Sequence, residues 1–407
     1  MVRKRTILIA IFLFAVLVAT LAYFRGFGVL KNGFDLPYEV SGEFGFRVVP
    51  FAENLGSVTR LEITDDGEYM FVSSLSGEIF IFEKVDGRFD REPRLFYEVD
   101  TGVDAFPEGR EAGLTGIIPA ADFSESRELF LLYSDGLEGG LFNTVQRVRV
   151  ALDDDGLPYA ADRKIIYRGG HPTIEAHQIQ GGSSLMLGGH SYIMFAIGDA
   201  GRPEDVRNGS LDMGKLVLMD RDGGYEFLGS GIRNSFDTAL TDMGGETFVA
   251  LGDTGPSEND RFILFPLPEQ TIDFNWDGTS ASLEKPVIVS AADDRVLLRL
   301  SPSRTITDIL FYEGNGEGIP NYDSSEKYVF MSLFGRTGST DNDFGRRILF
   351  GRISGGSLTT EDFIVRSKHG EGKLGHPLGL DIDPVTGDIF FGDIIEGKIF
   401  KVEKIVK

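Results

Sequence analysis

The chain of 407 residues contains no cysteine. That absence removes thiol nucleophiles, thiolate zinc sites, disulfide staples and a lipidated N-terminal cysteine, and it suits an oxidising compartment. Tryptophan occurs once and histidine five times, so general-base chemistry near neutral pH has few candidates. Positive charge is in deficit: 40 Lys and Arg face 63 Asp and Glu, a formal net charge of −23. With no local basic patch to offset that charge, a nucleic-acid partner is excluded. What the chain does have is 52 Gly, 33 Phe and 42% hydrophobic residues, a globular balance that excludes wholly disordered and collagen-like chains.

The N-terminus carries a location signal. Arg3, Lys4 and Arg5 precede an uncharged apolar run from Thr6 to Phe24. As a helix this run rises roughly 28 Å at about 1.5 Å per residue, enough to span a bilayer. The positive flank is expected to stay in the cytoplasm, placing everything after Arg25 on the extracytoplasmic side, periplasmic or extracellular. A cleaved signal peptide is the alternative, since Ala19 and Ala22 sit near a possible cleavage point. The run is longer than the usual h-region of about 7 to 15 residues, which favours an uncleaved signal-anchor. The expected organisation is a membrane anchor over 1–25, a tether over 26–43 and a folded domain over 44–407.

Beyond residue 44 no helical periodicity is sustained, and short β-branched and aromatic runs recur between Gly, Asp, Asn and Pro turns. Leu61–Phe82 and Leu380–Phe400 share one plan of strand, glycine turn, strand and a glycine opening a third strand. MFAIGDAG at 194–201 and FVALGDTG at 248–255 match at an offset of 54 residues. Repeats of about 40 to 50 residues, each holding several strands, predict a β-propeller. Blades are expected near 58–100, 113–168, 179–228, 232–290, 304–355 and 376–403, with Phe44–Val49 pairing onto the last blade to close the ring. The fold class is therefore all-β: a six-bladed β-propeller preceded by one N-terminal transmembrane helix, with a β-sandwich pair as the alternative.

Three segments could carry chemistry. His190 lies in a Gly-Gly-His-Ser turn, and His171 and His369 sit among Gly and charged residues, where solvated loops are the default. His177 instead stands where a polar loop enters the strand opening blade three, a junction that can face the central channel and place a general base there. Gly231-Ile232-Arg233-Asn234 offers a guanidinium fork and an amide suited to a carboxylate or a developing oxyanion, or it is simply a capped turn. The loop Gly252–Asp260 is rich in oxygen ligands of the kind Ca²⁺ takes, although it lacks EF-hand spacing.

In order and spacing these segments resemble the glucose/sorbosone dehydrogenase family, six-bladed propellers that include the soluble pyrroloquinoline-quinone-dependent aldose dehydrogenases. Glu111-Ala-Gly-Leu-Thr-Gly-Ile117 is similar to the family's E/Q-G-G-L-L-G-I segment. His177-Gln178 with Gly182-Ser-Ser-Leu185 and Ile197-Gly198-Asp199 resembles its H-x-G-G-x-L … G-D block, and Gly231–Asn234 its G-H-R-N. Gly255-Pro256 and Asp260 match its calcium loop, with Arg261 standing where the family has an acidic residue. Phe274-Asn-Trp276 and Ser301-Pro-Ser303 through Phe311-Tyr312 follow in the family's order. Two basic positions differ. Phe334 stands at the lysine of S-L-K-R-G, where Arg336 is the nearest replacement, and Gly375-His376-Pro377-Leu378 replaces R-x-R-D.

The resemblance implies pyrroloquinoline quinone (PQQ) and Ca²⁺ as cofactors and a sugar or related polyol as substrate. His177 and Arg233 would then be catalytic; Glu111, Gln178, Asn234 and Arg336 would contact the quinone; Gly255, Pro256 and Asp260 would hold the metal. The expected function is that of a membrane-anchored extracytoplasmic quinoprotein oxidising an aldose. A non-catalytic propeller binding a glycan or an envelope protein is the alternative.

Overall fold

The computed structural model describes residues 38–102, 112–137, 140–169, 177–256, 258–289, 293–335, 346–366 and 375–405. The anchor expected over 1–25 and most of the tether lie outside these residues, and among those described no helix is long and apolar enough to cross a membrane.

Strands buried along most of their length fold into six mainly antiparallel sheets, built largely from consecutive hairpins. The innermost strands, in chain order, are Val58–Ile63, Leu114–Pro119, Ile179–Leu187, Ser235–Met243, Ile306–Tyr312 and Pro377–Ile382. The described apolar residues form six main clusters, one between each pair of neighbouring blades. Phe71, Leu129 and Leu131 join the first to the second, for example, and Phe51, Phe390 and Phe82 the last to the first. This is the six-bladed propeller expected from the repeats. The sixth blade takes its outer strand from the start of the domain: Phe46–Ala52 pairs antiparallel with Lys398–Lys404, Phe46 opposite Lys404 and Val48 opposite Val402. The ring is thus closed by hydrogen bonds rather than by a covalent link, leaving no exposed edge at the seam.

Two blades end later than the repeat spacing implies. The outer strand of blade five is Ser357–Arg366, itself extended at the edge by Tyr38–Val40. The outer strand of blade four is Val296–Leu300 because a long excursion precedes it. In that excursion Ile272–Asp273 crosses back and pairs in parallel with the outer strand of blade three, Gly229 opposite Ile272. The crossing delivers Trp276 to blade three, a long-range event that no local strand pattern signals.

The channel is pinned by one buried cation. Arg60 donates from Nε to Glu62 at 2.6 Å and pairs through its two Nη atoms with Asp237 at 2.9 Å and Asp308 at 3.2 Å. These partners come from the inner strands of blades one, four and five.

Candidate active site

The site is organised by a short unit at the end of the second strand of a blade. Gly198-Asp199, Gly252-Asp253 and Gly392-Asp393 close the second strands of blades three, four and six or directly follow them. The glycine is needed for close approach. A Cβ at Gly198 would stand 2.5 Å from the His177 carbonyl and 2.9 Å from that of Arg233, and one at Gly252 would stand 2.9 Å from Ile306 Cγ2. The aspartate that follows is buried in all three and binds the segment entering an inner strand.

In blade three that segment carries His177. Its Nδ1 meets Asp199 Oδ1 at 2.5 Å, and its backbone is held in the left-handed region at φ 56°. Such a conformation is costly for a residue with a Cβ and persists only where the surroundings impose it. Asp199 Oδ1 also accepts from the Gly201 N–H at 2.9 Å, and its Oδ2 accepts from Trp276 Nε1 at 2.7 Å. Burial pushes the Asp199 carboxyl up, but the hydrogen bond and charge of His177, with the Gly201 and Trp276 donors, outweigh it and hold the group below its ordinary range. An ionised Asp199 fixes the tautomer of His177 and leaves proton transfer to the ring's other nitrogen.

In blade four the same unit holds a backbone instead. Asp253 Oδ1 accepts from the N–H groups of Arg233 at 3.0 Å and Asn234 at 2.9 Å. The guanidinium of Arg233 donates to the Thr254 carbonyl at 2.8 Å and lies 5.7 Å over the Trp276 ring. His177 and Arg233 therefore share one site, joined through Asp199 and Trp276, with Thr254 against Arg233. Gln178 and Asn234 are buried beside them, and Gln180 reaches the Asn234 Oδ1 at 3.5 Å. Glu111, Arg336, His171 and His369 lie outside the described residues, and His190 is exposed on a hairpin turn.

The calcium loop does not fit a metal. Both oxygens of the Asp260 carboxylate are committed: Oδ1 to the Gly255 N–H at 2.9 Å and the Ser303 hydroxyl at 2.6 Å, Oδ2 to the N–H groups of Arg304 at 2.5 Å and Thr305 at 2.6 Å. Among the described residues no group of three or more His, Asp or Glu could hold a metal ion. The fully buried Arg261 pairs with Asp253 and donates to the Phe274 carbonyl at 2.7 Å.

The quinone fits at one end. Around the Arg233-Asn234 turn and the Asp260 turn, the donors Thr254 Oγ1 and Arg304 Nε are buried without hydrogen-bond partners, a capacity suited to a ligand with oxygens on its rim, while Gln180 Oε1 is an orphaned acceptor. Phe334, at the position of the family's lysine, meets His376, which lies between Gly375 and Pro377, the two positions where the family has arginine. Their rings stack at 4.1 Å between centroids, and His376 Nδ1 donates to the Phe334 carbonyl at 2.6 Å. Burial, helped by the charge of Arg346, pushes the His376 imidazole down to about 4, so it is neutral at pH 7.

The sequence points to His177, Arg233 and Asn234, carries Asp199, Asp253 and Trp276 only inside longer motifs, and does not single out Gln180 or Arg304. The 54-residue repeat was the available signal for both aspartates, since it aligns Asp199 with Asp253.

Residues 57–227 match the Glucose / Sorbosone dehydrogenase family. The expected resemblance to that family holds over this stretch, which includes His177, Gln178 and Asp199 and stops short of Arg233. The soluble aldose sugar dehydrogenase of Escherichia coli, in its apo form, superposes with a TM-score of 0.65 at 19% identity, covering 88% of this chain and 99% of that one. The PQQ-bound aldose sugar dehydrogenase of Streptomyces coelicolor gives 0.61 at 17%, covering 89% and 99%. The holo pyranose dehydrogenase PQQ domain of Coprinopsis cinerea gives 0.61 at 13%, covering 90% and 97%. At these identities the likeness establishes the fold. No curated protein matches the chain.

Proposed function

We propose that this chain, whose residues 57–227 carry the glucose/sorbosone dehydrogenase match, oxidises an aldose at its anomeric carbon, or a related polyol at a carbinol carbon, with PQQ. The observation that carries the reading is the His177–Asp199–Trp276–Arg233 constellation: an oriented base and a fixed guanidinium, tied through one carboxylate and one indole.

The quinone, when bound, supplies a two-electron acceptor for the hydride leaving the sugar carbon. The protein's part is proton handling and orientation. His177 takes the hydroxyl proton on the nitrogen not engaged by Asp199, and the adjacent carboxylate stabilises the imidazolium that forms. Arg233 places fixed positive charge where negative charge develops, held by its bond to the Thr254 carbonyl and by the Trp276 face. Asn234, Gln180, Thr254 and Arg304 would hold the cofactor through their polar atoms. No step is assigned to calcium, because the loop's carboxylate is already occupied.

The apolar Thr6–Phe24 run would tether the propeller to the outer face of the cytoplasmic membrane, where protease added to spheroplasts should degrade it. A mature chain beginning near residue 23 would show cleavage instead. The activity is tested by reconstituting the full chain with PQQ and following reduction of an artificial dye over a panel of aldoses. Reduction dependent on both quinone and sugar is expected, and its absence with every sugar would overturn the reading. The Phe334–His376 stack favours a second reading, a propeller that binds a glycan without oxidising it, because aromatic faces suit sugar rings better than a tricarboxylate. That reading expects sugar binding with no quinone uptake.

A further inference from the structure

We propose that the guanidinium of Arg261 is the resident cation of this site, and that the Gly255–Asp260 loop takes up no divalent metal. The inference deepens the proposed activity and rests on that reading for what the site does. Arg261 is wholly buried. One Nη donates to Asp253 Oδ2, and the other donates to the Phe274 carbonyl at 2.7 Å. Asp253 passes the connection on, since its Oδ1 accepts the backbone N–H groups of Arg233 and Asn234. Phe274 lies two residues before Trp276, which holds Asp199 and, through it, His177. A single side chain thus joins the Arg233-Asn234 turn of blade four to the excursion that supplies Trp276 to blade three.

This is the task a bound cation performs when it gathers oxygen atoms from several loops. Arg261 performs it with a charge that cannot dissociate and a planar fork that aims at two acceptors at once. The loop beside it is closed to a competing ion. Calcium takes about six to eight oxygens, and capture by Asp260 would break three hydrogen bonds that brace the turn at Ser303–Thr305 and a fourth to the Gly255 N–H. Arg261 touches no reacting atom and is a positioning residue.

The test uses the only tryptophan of the chain. Trp276 lies in the site, with Arg233 over its ring and Asp199 on its N–H, so its emission reports the arrangement without any turnover. CaCl2 is titrated into the full chain without quinone, and emission and the unfolding midpoint are recorded with and without a chelator. Neither is expected to change, whereas an ion present at about a hundred times its Kd would raise the midpoint by several degrees. Arg261→Gln should shift the Trp276 emission, and calcium should not restore it. Arg261→Lys, which keeps the charge but reaches a single acceptor, should recover the emission in part. A saturable calcium response of the wild type that Asp260→Asn abolishes would overturn the assignment, and so would wild-type emission in Arg261→Gln. If Arg261→Gln does not fold, the wild-type titration still decides. These readouts are independent of dye reduction, so failure of the activity and failure of this assignment are distinguishable.

Discussion

At the scale of single residues, the account turns on a histidine that is oriented rather than merely present. Replacing His177 by Ala should lower turnover by about 10² to 10⁴ while quinone affinity, measured by direct titration, stays nearly unchanged. Asp199→Asn should cost a smaller factor, roughly 10 to 10², because an amide meets the Trp276 N–H with its own N–H or loses the His177 contact, and the ring drifts. The kcat of each variant at saturating sugar checks the order. His177 was legible because histidine is scarce and this one stands at a loop-to-strand junction. Its partners were not. Asp199 reads as one more turn residue in a chain with 63 acidic side chains, and Trp276 lies 77 positions from the carboxylate it binds. Each stands inside a recognisable motif, but nothing local says that the two meet.

At the scale of elements, the Gly-Asp unit explains why the blades could be read and why their chemistry could not. The glycine lets the inner strand of the next blade approach and the aspartate holds the segment entering the inner strand of its own blade, so the unit recurs with the fold and appears in the sequence as a repeat. What the aspartate holds differs between blades: an imidazole in blade three, two backbone N–H groups in blade four, and in blade six the Tyr38 hydroxyl at 2.6 Å together with the His376 N–H. Asp253→Asn should destabilise the protein by about 3–5 kcal/mol in denaturant titration, because it leaves the Arg261 charge buried without its partner. The outer strands of blades four and five escaped sequence reading for a related reason. Outer strands pack on one side only, and the excursion before Val296–Leu300 carries few apolar alternations to mark where the strand resumes.

At the scale of the whole molecule, two buried groups pull stability in opposite directions with pH. Burial pushes His376 from 6.5 down to about 4. The unfolded chain therefore binds more protons than the native one between those values, and stability is lost as pH falls through that window. The channel carboxylates do the reverse. Burial raises Asp381 to about 7 and raises Asp237 and Asp308, with the charge of Arg60 opposing but not cancelling it. Native protons are then retained that the unfolded chain has released, so stability declines as pH rises from the ordinary carboxylate range through neutrality. Asp308 Oδ1 has no hydrogen-bond partner while Oδ2 accepts the Leu380 N–H at 3.0 Å. Asp308→Asn can keep that acceptor and remove the charge, so its unfolding midpoint should fall less than that of the wild type as pH rises from the ordinary carboxylate range through neutrality. His376→Gln should flatten the acid limb instead. The channel cluster assembles residues from four blades, which is why it was invisible to a reading along the chain.

The central claim is that the His177–Asp199–Trp276–Arg233 site oxidises a sugar with a bound quinone. The most direct measurement is an anaerobic single turnover: the full chain is loaded with PQQ, with binding followed at Trp276, and the quinone absorbance is recorded after an aldose is added. The account predicts stoichiometric reduction in the wild type, and quinone binding without comparable reduction in His177→Ala. Quinone that fails to bind, or that is reduced equally fast without His177, would contradict it.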